Sequence, residues 1–240
     1  MGRKRKRQRD PDRSHGRRPA VAPTPRHRAH GSVATQGQGW FCWRLEASVA
    51  QELQRLLNST RLTGPAFQAH SEPGQQGNDL AMVQRPLHGS GLWRTWKGPL
   101  RAAIASMHGL MCPCCRSSLA ADHELVAADL NVIRPGAALW PHIDASDVGG
   151  PTVLLLLQPA AAGGVLHVAC KPGEGGVRWR AVGEGRTLAR RAQDTVAVPL
   201  CECGDVCALE GEARVHEVTK VHGESARVSI ALSLRCSRES

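Results

Sequence analysis

The 240-residue chain is long enough to bury a full hydrophobic core, and its 41% apolar residues supply one. No apolar run approaches the roughly 18 residues needed to span a bilayer and no apolar leader follows the first methionine, which argues against membrane and exported classes and predicts a soluble intracellular protein with no membrane partner. The net charge of +10 is unevenly placed, since residues 1–30 hold 11 Lys/Arg against 2 Asp/Glu and the rest of the chain holds 20 against 19.

Residues 1–36 are rich in Arg, Pro and small polar residues, lack apolar periodicity, and are expected to form a disordered basic tail. Within it, residues 3–7 (RKRKR) fit a nuclear import signal read by the import machinery, or a tether to nucleic acid. This predicts a nuclear protein, with the cytoplasm as a second compartment.

A helical support region is expected over 37–124. Ser48 and Gln51 form a capping-box pattern ahead of Val49, Leu53, Leu56 and Leu57, which share one helical face. A second helix is expected after Pro99, with Leu100, Ile104 and Met107 on one face, and residues 70–92 read mostly as loop. From about residue 125 the texture changes to short apolar segments divided by Gly, Pro and Asp. Strands are predicted at 128–133, 152–157, 165–169, 195–198, 206–209, 215–221 and 227–234, the mark of a sandwich or barrel.

Nine cysteines without an export signal imply reduced thiols. Two clusters stand out, Cys112, Cys114 and Cys115 (CPCC) and Cys201, Cys203 and Cys207 (CECGDVC). The 112/115 and 203/207 spacings are permissible for zinc, but the surrounding pattern is unfamiliar, and buried or idle thiols are the favoured reading.

Residues 140–146, WPHIDAS, place His142 and Asp144 on one side of an extended segment. His216, inside the next-to-last predicted strand, is the best third ligand. Two imidazoles and a carboxylate on one side of an ion leave its other positions open, the facial arrangement suited to non-haem Fe(II) and O2. Eleven residues on, Arg227 and Ser229 share a face of the last strand, and a guanidinium fork beside a hydroxyl suits a carboxylate.

In order, NVIRPGAALWPHID, VLLLL, GGVLHV, CGDVCAL, VHEVTKVHG and RVSIAL span about residues 130–234. This set resembles the Fe(II)/2-oxoglutarate-dependent dioxygenases. The resemblance implies an α+β protein with a double-stranded β-helix (jelly-roll) core over 125–240 and N-terminal support helices. It also implies iron held by His142, Asp144 and His216, 2-oxoglutarate held by Arg227, Ser229 and Asn131, O2 as co-substrate, and ascorbate as an optional reductant. Ile133 stands where many relatives have Tyr, Arg227 where prolyl 4-hydroxylases have Lys, and Ser233 where the AlkB-like repair enzymes have Arg. HIDA and the Arg anchor look somewhat like the TET/JBP group.

Arg178, Trp179 and Arg180, in a polar stretch with further arginines, combine charge for phosphates with a ring for stacking a base, and are the candidate substrate contacts. A solvated hairpin with one packed Trp explains them as well. LWRTWKG, residues 92–98, carries the same two readings. The favoured substrate is a nucleic-acid base, such as a methyl group on it; the alternatives are a prolyl or other side chain of a nuclear protein, a small molecule and, from another class, a non-catalytic β-barrel binding module.

Overall fold

A computed structural model describes residues 35–37, 39–63, 68–70, 82–144, 150–171, 194–210 and 214–237. In chain order it contains β1 (Thr35–Gly37), β2 (Trp40–Arg44), α1 (Ala47–Ser59), β3 (Gln68–His70), β4 (Met82–Pro86), α2 (Trp93–Ala105), α3 (Leu119–Asp122) and β5 (His123–Ile133). There follow β6 (Leu139–His142), β7 (Thr152–Gln158), β8 (Ala162–Gly163), β9 (Leu166–Ala169), β10 (Thr195–Val198), β11 (Asp205–Leu209), β12 (His216–Val218), β13 (Val221–His222) and β14 (Arg227–Cys236).

Eight strands form one antiparallel sheet in the order β1-β2-β11-β7-β14-β5-β4-β3, four form a second in the order β10-β9-β12-β6, and β13 pairs with β8. The sequence of β7, TVLLLL, shows why the sheets stack. Val153, Leu155 and Leu157 enter the cluster shared with α1 and α2, while Leu154 and Leu156 enter the cluster facing the smaller sheet. A strand buried on both faces reads as a continuous apolar run, because alternation appears only where one face meets water. β11 follows the same rule, with Val206 and Ala208 toward the helices and Cys207 and Leu209 toward the smaller sheet.

The helices close the outer face of the large sheet. α1 buries Leu53, Leu56 and Leu57, as its spacing predicts. The capping box at Ser48 does not form: the helix starts at Ala47, its N-cap is Glu46, and no side chain caps it. A reciprocal cap forms instead at Ser118, whose Oγ accepts from the Ala121 amide while its own amide donates to Asp122 Oδ2, four residues on, at 2.9 Å. Pro99 does not open α2 but lies inside it, where it leaves one carbonyl of the preceding turn without its helical donor. In α2 Trp96 is buried and Trp93 packs edge-on against His88, so LWRTWKG starts a helix that turns Trp96 into the core and leaves Arg94 exposed.

Several boundaries expected from the sequence change. The 37–124 region is not purely helical, because β2 joins β11 at one side of the large sheet and β4 joins β5 at the other. β4 falls within the segment read as loop. β1, the first described element, lies inside the expected tail, whose residues 1–34 lie outside the described residues. The strand expected over 215–221 is two strands, since Thr219 turns between them, with its amide donating to the Val165 carbonyl and its Oγ1 accepting from the Val165 amide.

Candidate metal centre and carboxylate site

β6 ends in Pro141-His142. Proline has no amide to give to a ladder, and β6 is an edge strand, where that loss is tolerated. His142 lies opposite His216 on β12, and the register slips between this pair and Val218↔Leu139, placing one extra residue on β6. Such a bulge re-aims side chains, and here it accompanies the two rings brought to a centroid distance of 4.1 Å. Ile143 turns the other way into a small cluster with Ala169 and Val215, so His142 and Asp144 share one face, as their spacing predicts.

His142 Nε2 lies 3.4 Å from Asp144 Oδ1, and His216 Nε2 lies 3.6 Å from Asp144 Oδ2. One ligand atom from each of the three residues falls within 4.8 Å of the others. The far ring nitrogens are tied to the backbone, His142 Nδ1 donating to the Trp140 carbonyl at 2.8 Å and His216 Nδ1 to the Arg214 carbonyl at 3.2 Å. Each Nε2 therefore keeps a lone pair facing Asp144, the tautomer that metal-bound histidines adopt. Asp144 Oδ2 is buried without a hydrogen-bond partner. A carboxylate with each oxygen facing an imidazole lone pair, one of them buried and orphaned, is costly and fits a divalent cation.

The electrostatics agree. Burial acts to raise the Asp144 pKa, but the adjacent His216 and His142 outweigh it and hold the carboxyl well below its usual range. Burial, with His142 beside it, lowers the His216 pKa to about 4 against the opposing pull of Asp144. His216 is consequently neutral, and able to ligate, at physiological pH.

The segment that carries His216 is fixed from behind. Arg214, fully buried, donates to the Ala169 and Cys170 carbonyls at 3.2 and 2.8 Å and reaches Glu210 at 3.3 Å. Gly39 passes so close that a Cβ there would lie 2.3 Å from Glu210 and 2.5 Å from Arg214, and its φ of +74° is one that glycine adopts freely.

On the large sheet, Arg227 and Ser229 open β14 and face inward, Ser229 opposite Asn131 and Arg227 opposite Ile133 on β5. Arg227 is 3% exposed, donates to Ser229 Oγ at 3.0 Å, and forms no ion pair among the described residues. Burial lowers its pKa to about 10, which leaves it charged at neutral pH. A buried cation without a counter-ion calls for an anion, and the buried, unpaired Asn131 Oδ1 marks a further polar vertex of the same chamber. Gly163 and Gly164, both at positive φ, leave room for this arrangement: a Cβ on Gly164 would meet Arg227 Cδ at 3.1 Å, and one on Gly163 the Lys220 carbonyl at 2.1 Å.

All six residues expected at the metal and carboxylate sites thus lie on facing surfaces of the two sheets. Arg178, Trp179 and Arg180 lie outside the described residues. Asp129 and Gln84 were missed: burial raises the Asp129 pKa, the charge of Asp144 adds to this, and a hydrogen bond from Gln84 opposes it. The signal was available, because Asp129 is two residues before Asn131 and shares its face.

No family model and no curated protein matches the chain. Solved structures do. A non-haem α-ketoglutarate-dependent epimerase, SnoN, from nogalamycin biosynthesis aligns with a TM-score of 0.53 at 15% identity over 83% of this chain and 79% of its own. A prolyl hydroxylase from Trichoplax adhaerens, in complex with a hypoxia inducible factor peptide fragment, gives 0.52 at 16% over 84% and 86%. AviO1 from Streptomyces viridochromogenes gives 0.51 at 18% over 83% and 90%. The class they define is one of fold: the chain is similar to these proteins in having the double-stranded β-helix with helices against one sheet.

Proposed function

We propose that the chain is an Fe(II)- and 2-oxoglutarate-dependent oxygenase. The observation that carries this reading is the pairing, on facing surfaces of the two sheets, of a two-histidine, one-carboxylate cluster with a buried guanidinium that has no acid partner among the described residues. The fold shared with an α-ketoglutarate-dependent epimerase and a prolyl hydroxylase supports it.

His142, Asp144 and His216 would hold the iron, which when bound supplies the coupling of O2 reduction and 2-oxoglutarate decarboxylation to oxidation of a substrate C–H bond. The protein's own part is positional. The Nδ1 hydrogen bonds to Trp140 and Arg214 fix the orientation of both rings and turn both Nε2 atoms toward Asp144. Asp144 contributes the negative charge. Arg227 takes the distal carboxylate of 2-oxoglutarate, with Ser229 Oγ holding the guanidinium in plane and Asn131 offering a polar contact. Ile133 lies opposite Arg227 and Leu156 opposite Ser229, so buried apolar side chains flank the carboxylate site and keep water away.

The favoured substrate is a nucleic-acid base in the nucleus. Support comes from the basic stretch at residues 3–7 and from Trp140, 41% exposed and two residues before His142, a flat ring on which a base stacks. Hydroxylation of a protein side chain is the second reading, favoured by the peptide bound to the Trichoplax neighbour.

Anaerobic addition of Fe(II) and 2-oxoglutarate should produce the weak visible charge-transfer band of the chelate, absent in His216→Ala and weakened in Arg227→Ala. A folded, iron-supplied wild type without the band would refute the assignment. Succinate release stimulated by methylated oligonucleotides rather than peptides would support the base substrate, and the reverse would support the protein substrate.

A further inference from the structure

A second cluster of metal-ligating atoms lies apart from the iron residues. We propose that Cys112, Cys115 and His123 bind a zinc ion, its fourth position left to water on the exposed Cys115 side, and that this ion fastens the 112–118 loop to the start of β5. The ligand atoms of these residues all lie within 4.8 Å of one another. Spacing alone relates Cys112 and Cys115 only to other thiols; the fold adds His123, eight residues beyond Cys115.

The local geometry is that of a built site. Cys115 Sγ and His123 Nε2 are 3.5 Å apart. Ligands about 2.3 Å (sulfur) and 2.05 Å (nitrogen) from one zinc at a tetrahedral angle are about 3.6 Å apart. His123 Nδ1 donates to the Ser118 carbonyl at 3.1 Å, so Nε2 faces the thiols with its lone pair, and a far-side tie of this kind orients metal-bound histidines. The Cys112 thiol bears on those of Cys114 and Cys115. Two thiols at C-x2-C spacing occupy one turn, closed by the Cys112 amide donating to the Ser117 carbonyl at 2.7 Å and the Arg116 amide donating to the Cys112 carbonyl at 3.1 Å. Arg116 takes a φ of +62°, unusual for a side chain of its kind. Cys112 and His123 are buried while Cys115 is at the surface, so an ion can reach the site without unfolding.

The other cysteine group does not assemble. Cys207 is buried on β11 opposite Cys42, and Cys203 points at the Ala50 carbonyl. Soft thiolates with one imidazole select zinc over the harder ions that suit His142, Asp144 and His216. From His123 to Asn131 the strand rises about 27 Å, so the zinc would fasten one end of β5 while the oxygenase chamber occupies the other.

The test uses the full chain, reduced, with cobalt as the probe. Co(II) should give a near-ultraviolet thiolate-to-cobalt charge-transfer band that survives His216→Ala, because the iron residues contain no sulfur, and that is lost in Cys115→Ser and in His123→Ala. Elemental analysis of zinc-loaded His216→Ala should find one equivalent of zinc, and removing it with chelator should lower Tm. Differential alkylation of the wild type requires no variant to fold: zinc should shield the exposed Cys115 and leave Cys170 and Cys201 reactive. Absence of the thiolate band in folded wild type, its persistence in both variants, or equal alkylation with and without zinc would overturn the proposal, leaving a thiol–imidazole hydrogen bond. None of these outcomes depends on oxygenase activity.

Discussion

The two faces of the large sheet are built from the same strands and do opposite work. Toward the helices, β2, β5, β7, β11 and β14 present an unbroken apolar layer that includes Phe41, Leu130, Leu155, Val206 and Ile230. Toward the smaller sheet, the β2, β11 and β7 end is equally apolar, but β14 and β5 present Arg227, Ser229, Asn131 and Asp129. One face carries stability. The other gives up part of its burial to hold charges that need ligands, and such sites are where local rules of folding are broken.

The largest expected effect lies on the polar face. His216→Ala should lower metal-dependent turnover by more than about 100-fold, the upper end for losing merely an outer partner of a metal ligand. Measured iron affinity checks it, with thermal melting to confirm the fold.

The next test separates the faces on one strand. Leu155→Ala and Leu156→Ala should each cost about 2–5 kcal/mol in denaturant melts, since both side chains are fully buried. Only Leu156→Ala, facing the chamber, should also raise the KM for 2-oxoglutarate. Equal kinetic effects would erase the distinction between the faces.

Acid should act on the polar face through His216. His216 titrates near 4 in the folded protein and near 6.5 when unfolded. Between those values the unfolded chain holds the extra proton. The contribution of His216 to metal-free stability is therefore complete above about pH 6.5, falls by up to about 1.4 kcal/mol per pH unit on acidification, and is gone below about pH 4. Melts in chelator across that window should show the slope, and His216→Gln should flatten it.

Arg227→Met should separate function from stability. Removing a buried charge that lacks a counter-ion should stabilise the cosubstrate-free protein by about 1 kcal/mol or more while abolishing the rise in Tm that 2-oxoglutarate produces in the wild type. The smallest effect belongs to the helical layer: Ser48→Ala should change stability by less than about 0.5 kcal/mol, because Ser48 caps nothing.

Much of the polar face was legible in the sequence because period-two spacing survives in it: H-x-D and R-x-S each place two side chains on one face, and the fold brings both faces together. What escaped notice did so for physical reasons. β2, WFCWR, is buried on both sides and shows no alternation. β4 ends in proline within a Gly- and Gln-rich stretch and owes its pairing to β5 rather than to its own propensity. Pro99 reads as a helix start, yet Trp96, buried one turn earlier, carries the helix through it. His123 lay too far along the chain from Cys115 for spacing to connect them, and only the entry into β5 does so.

The sheet order also bears on how the protein is made. β14, the last of the described strands, lies between β7 and β5, and the ion pair of Arg44 with Asp205 joins residues 161 positions apart. During synthesis the leucine edge of β7 and the apolar side of β5 must wait, unpaired, for a strand translated roughly 70 to 100 residues later, at about 5–20 residues per second. A nascent chain held several seconds with such edges open is a client for chaperones, and slowing elongation before β14 should increase aggregation more than slowing it afterwards.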